Sequence, residues 1–124
     1  NAHSLVLRLV WQGEGLALIP GDIEAGALEV LLSCPECMHR KAQVLVLPHH
    51  GGKTSCSREF YKAVDPDLAL VSCGFLNRYG YPHARVRSTL KAMGIPLYST
   101  AKHGAITLNW RGAPGNGRTM DWER

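Results

Sequence analysis

No apolar run in the sequence reaches the ~18 residues that a membrane-spanning helix needs, so no segment of this chain is expected to cross a bilayer. Internal repeats and linkers are absent too, and 124 residues amount to one domain's worth of chain. The chain opens at Asn1 with neither an initiator methionine nor a signal-peptide pattern, and is expected to be a piece of something longer. Cysteine is sparse at four residues, and one Cys-x-x-Cys exists, Cys34 and Cys37 in "SCPECMHR". A structural zinc site wants four ligands, and the nearest further candidate is His39. An incidental loop pair, or a local disulfide in an oxidising compartment, is favoured over a zinc knuckle. Cys56 and Cys73 are expected as small buried residues.

What is present has the balance of a globular unit, with 45% hydrophobic and 19% charged residues. A net charge of +4 and a pI near 9.0 suit a nucleic-acid or phosphate partner without requiring one. "SLVLRLVW" alternates as a strand, "QGEG" reads as a hairpin turn, and Leu16 to Ile19 returns as a second strand. Ile23, Ala27, Val30 and Leu31 share one face at helical spacing. Further strands are expected at Val44 to Leu47, Leu68 to Ser72, Ile95 to Ser99 and Ala105 to Trp110. Ser57 to Val64 reads as a helix with Phe60, Tyr61 and Val64 inward. Val86, Leu90 and Met93 mark another helix, closed by Gly94. The predicted order is β-β-α-β-α-β-α-β-β over residues 1–110, a layered α/β unit, followed by a poorly ordered tail over 111–124.

Three loops carry the candidate chemistry, and each follows a strand and precedes a helix. In "LALIPGDIE", Asp22 reads either as a helix N-cap or as a metal-bridging carboxylate. In "LPHHGG", neighbouring side chains of an extended segment point apart. One of His49 and His50 would therefore be a ligand while the other turns toward substrate; a pair of partly buried loop histidines is the plainer alternative. In "NRYGYPHARV", His83 follows the stiff Pro82, and Arg78, like Lys53 in the previous loop, offers positive charge to an anionic substrate. Arg87 and Lys91 fall four apart on the following helix. In a layered α/β unit the three loops would crowd one edge of the sheet.

From about Asn1 to Ile106, "SLVLRL…LIPGDIE…VLVLPHHGGKTSCSREF…NRYGYPHARV…TAKHGAI" resembles the metallo-β-lactamase-type domain of the ComEC competence proteins. The pattern of that family runs TGDIE, VPHHGSxTSS, NxYGHPHxxV and TxxxGAI, in this order. The resemblance implies an αββα sandwich hung from a polytopic bacterial inner-membrane protein that forms a DNA-uptake channel. It implies a metal-dependent nuclease that degrades one strand while the other is imported. Asp22 would bridge two divalent ions, zinc or manganese, and His50 would be a ligand. His49 and His83 would be catalytic, and Arg78 and Lys53 would bind substrate.

The sequence departs from the pattern at Gly52, Tyr81 and Pro20, where the family has Ser, His and Thr. The His-x-(His/Asp)-x-Asp-His string that supplies most of the family's ligands does not occur in the chain. The chain thus reads as the C-terminal half of the site, expected to hold no metal by itself and to be inactive alone. His3, in "NAHS", could approach the metals or could lie frayed. A degenerate module that binds DNA or a partner without cutting is the alternative function. Other families sharing the HHG loop fit less well, because of the YGxPH and TxxxGAI segments.

Overall fold

A computed structural model describes residues 3–34, 40–112 and 119–123, the last group as backbone. Strands β1 (Leu7–Trp11) and β2 (Glu14–Ile19) form an antiparallel hairpin. Its turn is Gln12–Gly13, left-handed at both residues (φ 48° and 84°), the turn geometry that matches strand twist. Helix α1 (Ala25–Ser33) leads to β3 (Val44–Val46), and α2 (Arg58–Val64) leads to β4 (Leu68–Val71). Then come α3 (Ala84–Ala92), β5 (Leu97–Ser99), α4 (Thr100–His103), β6 (Thr107–Arg111) and β7 (Thr119–Glu123). Strands β1 to β5 make one mixed sheet in sequence order, parallel from β2 onward, and β6–β7 make a separate antiparallel pair.

Alternation along the strands divides the apolar residues between two faces. Leu18, Leu45, Ala69 and Val71 pack with Leu28 of α1, with Phe60, Tyr61 and Val64 of α2, and with Val86 and Leu90 of α3. Burial of these side chains, at about 25 cal/mol per Å² of apolar surface, is the main stabilising contribution. The opposite face presents Ala17, Val44, Leu68, Leu70 and Tyr98, against which Leu108 and Trp110 of β6 pack. Leu7 and Leu9 pair with Ile19 and Ala17 and so belong to this second face, yet they are 47% and 48% exposed. Among the described residues, the β1 edge of this face is therefore apolar and partly exposed.

Arg40 is a buried charge with a structural task. Its guanidinium donates to the carbonyls of Leu31 (2.8 Å), Leu32 (2.9 Å) and Cys34 (3.0 Å), acceptors that the end of α1 leaves without helical partners.

The structure bears on several expectations and corrects those at Asp22, Val30 and the β5–β6 connection. Helix α1 begins at Ala25 with Glu24 in the cap position and no side-chain cap, so Asp22 is not its N-cap. Val30 is 69% exposed rather than inward. The short α4 separates β5 from β6, so these strands do not follow one another directly. One turn is too short for a hydrophobic period to show, and capping by Ser99 Oγ, which accepts from the Ala101 N–H at 3.1 Å, starts it. Cys34 is disulfide-bonded, while Cys37 and His39 lie outside the described residues. Cys56 and Cys73 are free and half-buried. Of the tail beginning at Arg111, residues 113–118 and 124 lie outside the described residues, and Thr119–Glu123 pairs with β6.

Candidate functional site

The loops after β2, β3 and β4 meet at one end of the sheet, joined by main-chain hydrogen bonds. The His49 N–H donates to Gly21 O at 3.0 Å, tying the second loop to the first. The His83 N–H donates to Gly51 O at 2.8 Å, tying the third to the second. Gly21 stands at φ +64°, and a Cβ there would lie 2.4 Å from Ser4 Oγ, the atom that accepts the Asp22 N–H at 2.8 Å. Gly51 stands at φ +72°, where a Cβ would meet Pro82 Cβ at 2.8 Å. Both positions need glycine for conformation and for space.

The histidine pair is not extended, contrary to the expectation from alternation. His49 and His50 both adopt left-handed backbone (φ 49° and 53°), strain of the kind that persists where surrounding contacts fix it. Ser55, fully buried, supplies part of that fixing: its Oγ lies 2.8 Å from Pro48 O and 2.9 Å from Gly52 O.

The turn sends the two imidazoles to different carboxylates. His50 Nδ1 lies 2.8 Å from Ser72 O. A carbonyl only accepts, so Nδ1 carries the proton and Nε2 of the neutral ring keeps its lone pair. That Nε2 faces Asp22 Oδ1 at 3.7 Å. His49 Nδ1 lies 3.5 Å from Glu24 Oε1 and is buried without a hydrogen-bond partner. The Thr54 hydroxyl bonded to Glu24 holds this carboxyl below its ordinary range against the opposing effect of burial, with a smaller contribution from the nearby His49 ring.

His83 occupies the N-cap of α3, with its Nδ1 accepting the Arg85 N–H at 3.2 Å, so the proton of the neutral ring sits on Nε2. Arg78 stacks on Tyr79, with Cζ 4.8 Å from the ring centroid, and Lys53 is exposed on the second loop. Arg87 is turned to the main chain and donates to Pro82 O. His3 is exposed. Tyr81 stacks over His50 with centroids 6.3 Å apart and planes 19° from parallel.

A metal can be tested against this donor set. Two ligands of a tetrahedral zinc at about 2.0–2.1 Å lie about 3.3–3.4 Å apart, close to the Asp22–His50 separation. The Nδ1–H bond to a carbonyl is the arrangement that metal-ligating imidazoles use. The pair therefore fits an ion as two of its ligands. Among the described residues no group of three or more His, Cys, Asp or Glu side chains is placed to hold one.

Glu24, Ser4, Ser55, Ser72 and Asn77 were not singled out from the sequence. Glu24 stands in "GDIE" and Asn77 in "NRYG", so both lie inside the loop motifs that carry the resemblance. Ser72 acts through its main chain, which no side-chain pattern reveals.

Comparison with known proteins gives a consistent neighbourhood. Over 106 residues, 86% of this chain, it is 40% identical to Competence protein ComA of Neisseria gonorrhoeae. The chain is similar to a segment of a competence protein. ComE operon protein 3 of Bacillus subtilis is 34% identical over 116 residues, 93% of this chain. Recombination protein 2 of Haemophilus influenzae is 34% identical over 110 residues, 89% of this chain. The chain spans only 15%, 14% and 13% of these three relatives. No protein-family model and no solved structure matches it. No helix among the described residues is long and apolar enough to cross a membrane.

Proposed function

We propose that this chain is the C-terminal half of a metallo-β-lactamase-like domain within a DNA-uptake protein of natural competence, and that it supplies part of a metal-dependent nuclease site. The His50–Asp22 relationship carries the reading: an imidazole fixed by Ser72 O turns its free nitrogen toward a carboxylate that caps no helix. Asp22 and His50 would hold a divalent ion together with ligands from elsewhere in the polypeptide. Bound there, such an ion supplies charge stabilisation to a phosphodiester under attack. His83 Nε2–H is a donor available to a phosphate oxygen, while Lys53 and Arg78 offer positive charge to the strand.

The open second sheet face supports the half-domain part of this reading. Leu7 and Leu9 are apolar, exposed and continuous with a face that β6 covers only in part. In an αββα sandwich a second sheet packs there, about 10 Å away. The occupant on this reading is a preceding part of the same polypeptide, in keeping with the small share of each relative that the chain spans. The membrane channel would be a further part of it.

One observation favours a second reading, a module that binds DNA without cutting it. Tyr81 lies over His50, and its ring tip reaches the space above Gly52. The experiment that decides is DNA hydrolysis by the full-length protein with added manganese or zinc. On the nuclease reading the wild type cuts, and Asp22→Ala and His50→Ala do not. A folded wild type that binds DNA and leaves it intact establishes the second reading.

A further inference from the structure

We propose that the loop from Gly74 to Gly80 is a stacking platform for unpaired bases of single-stranded DNA, with Phe75 and Tyr79 as its rings and Arg78 as its phosphate contact. This rests on the nuclease-site reading and deepens it by naming what holds the strand beside that site. Phe75 is 78% exposed and Tyr79 61% exposed, well outside the range of a core ring. The loop that carries them is held in shape. Asn77 Nδ2 donates to Gly74 O (3.1 Å) and Tyr81 O (2.8 Å), and its Oδ1 accepts the Tyr81 N–H at 2.8 Å. The rings are therefore presented at little further ordering cost.

The rings also run in a direction. Tyr79 and Tyr81 are stacked at 5.5 Å with planes 21° apart, and Tyr81 continues onto His50 at 6.3 Å and 19°. The core pair Phe60–Tyr61 is tilted by 58°, as rings packed among aliphatic side chains commonly are. A near-parallel ladder, by contrast, shares the orientation of stacked bases, though at wider, offset spacing. It leads from the exposed loop to the candidate ligand, beside an open cleft of ≈ 380 Å³ lined by His50, Tyr79 and Tyr81. The Arg78 guanidinium bonds the Tyr79 hydroxyl at 2.5 Å with its Cζ over that ring, 4.8 Å from the centroid, so its own plane is part of the outer end of the ladder. The polar Asn77 and charged Arg78 interrupt the apolar patch, which suits single bases better than a protein interface of about 1,000 Å² or more.

The test measures anisotropy of a labelled oligothymidylate with the full-length protein, in chelator so that no cutting occurs. Phe75→Ala and Tyr79→Ala should each weaken binding about tenfold. Arg78→Ala should lower the salt dependence by about 0.7 in the log–log slope. Wild type should bind an abasic strand of the same length about as weakly as the double ring variant binds thymidylate. Equal wild-type affinity for the two strands, or an unchanged double variant, overturns the platform. So does a fall in melting temperature with DNA affinity intact, which assigns the loop to packing within the polypeptide. Absence of hydrolysis when metal is restored removes the nuclease reading, while the affinity comparison still decides the platform.

Discussion

His50 is held between Asp22 and Ser72, its Nε2 at 3.7 Å from the Asp22 carboxylate and its Nδ1 donating to the Ser72 carbonyl at 2.8 Å. Turning the ring over would set the carbon Cδ2 against the carbonyl, and moving the proton to Nε2 would set a lone pair there, so the hydrogen bond fixes both the orientation and the tautomer. A lone pair facing a carboxylate is unfavourable unless a cation lies between them. On the proposed reading that cation is a divalent ion; a second proton on the ring would serve the same geometry as an ion pair.

Asp22→Ala is expected to abolish DNA hydrolysis by the full-length protein and to leave its stability within about 0.5 kcal/mol of wild type. A cap residue would lose about 1 kcal/mol and keep its activity. Asp22 is half-exposed and caps nothing, so the structure separates the two outcomes in advance. Nuclease rate and thermal melting, measured on the same preparation, check it.

Zinc titration into the isolated chain is expected to show binding weaker than about micromolar, or no saturable binding. Two ligands at half-exposed positions do not complete a tetrahedral site. Calorimetry reads this directly, and stoichiometric nanomolar binding would mean that ligands outside the Asp22–His50 pair are close by.

The alternating fold was legible because its signals are local. Phe60, Tyr61 and Val64 sit at helical spacing and are fully buried, and Ser57 Oγ caps their helix by accepting the Phe60 N–H at 3.1 Å. The meeting of the three loops at one sheet end was readable from their shared strand-to-helix position. The two rings diverge as alternation implies, but not on the extended backbone that alternation assumes, because the left-handed turn at His49 and His50 is imposed from outside by Gly21 O, Ser72 O and Ser55. Glu24 escaped notice for a related reason. It becomes His49's neighbour only once that turn has sent the two rings apart.

Gly52 and Tyr81, two of the positions that depart from the ComEC pattern, are expected to be energetically coupled. A Cβ at residue 52 would lie tightly against His49 O at 3.2 Å and in contact with Tyr81 Cε1 and its hydroxyl oxygen at 3.5 and 3.6 Å, so the further oxygen of a serine is placed to press on the phenol. Gly52→Ser alone should destabilise, and Tyr81→His should relieve part of that loss. A double-mutant cycle by chemical denaturation should give a coupling of about 0.5–2 kcal/mol. Additive effects would show that the two departures are independent.

Tyr61→Phe is expected to leave stability at neutral pH unchanged or raise it by up to about 1 kcal/mol, and to flatten its alkaline fall. The Tyr61 ring is fully buried, and among the described residues its hydroxyl has no well-formed hydrogen bond, with only the weakly polar Cys56 thiol and the Ser57 main chain alongside. Burial, and then that thiol, push the phenol pKa above its ordinary value near 10. A raised pKa means that the folded state keeps this proton after the unfolded chain has lost it. The neutral phenol therefore places no charge in the core below about pH 10, and stability drains away as pH rises from there toward the raised value. Phenylalanine has no proton to lose, so this part of the pH dependence should vanish. Denaturant midpoints of the two proteins at pH values on either side of 10 check the sign: the gap between them should widen in favour of phenylalanine as the solution becomes more alkaline.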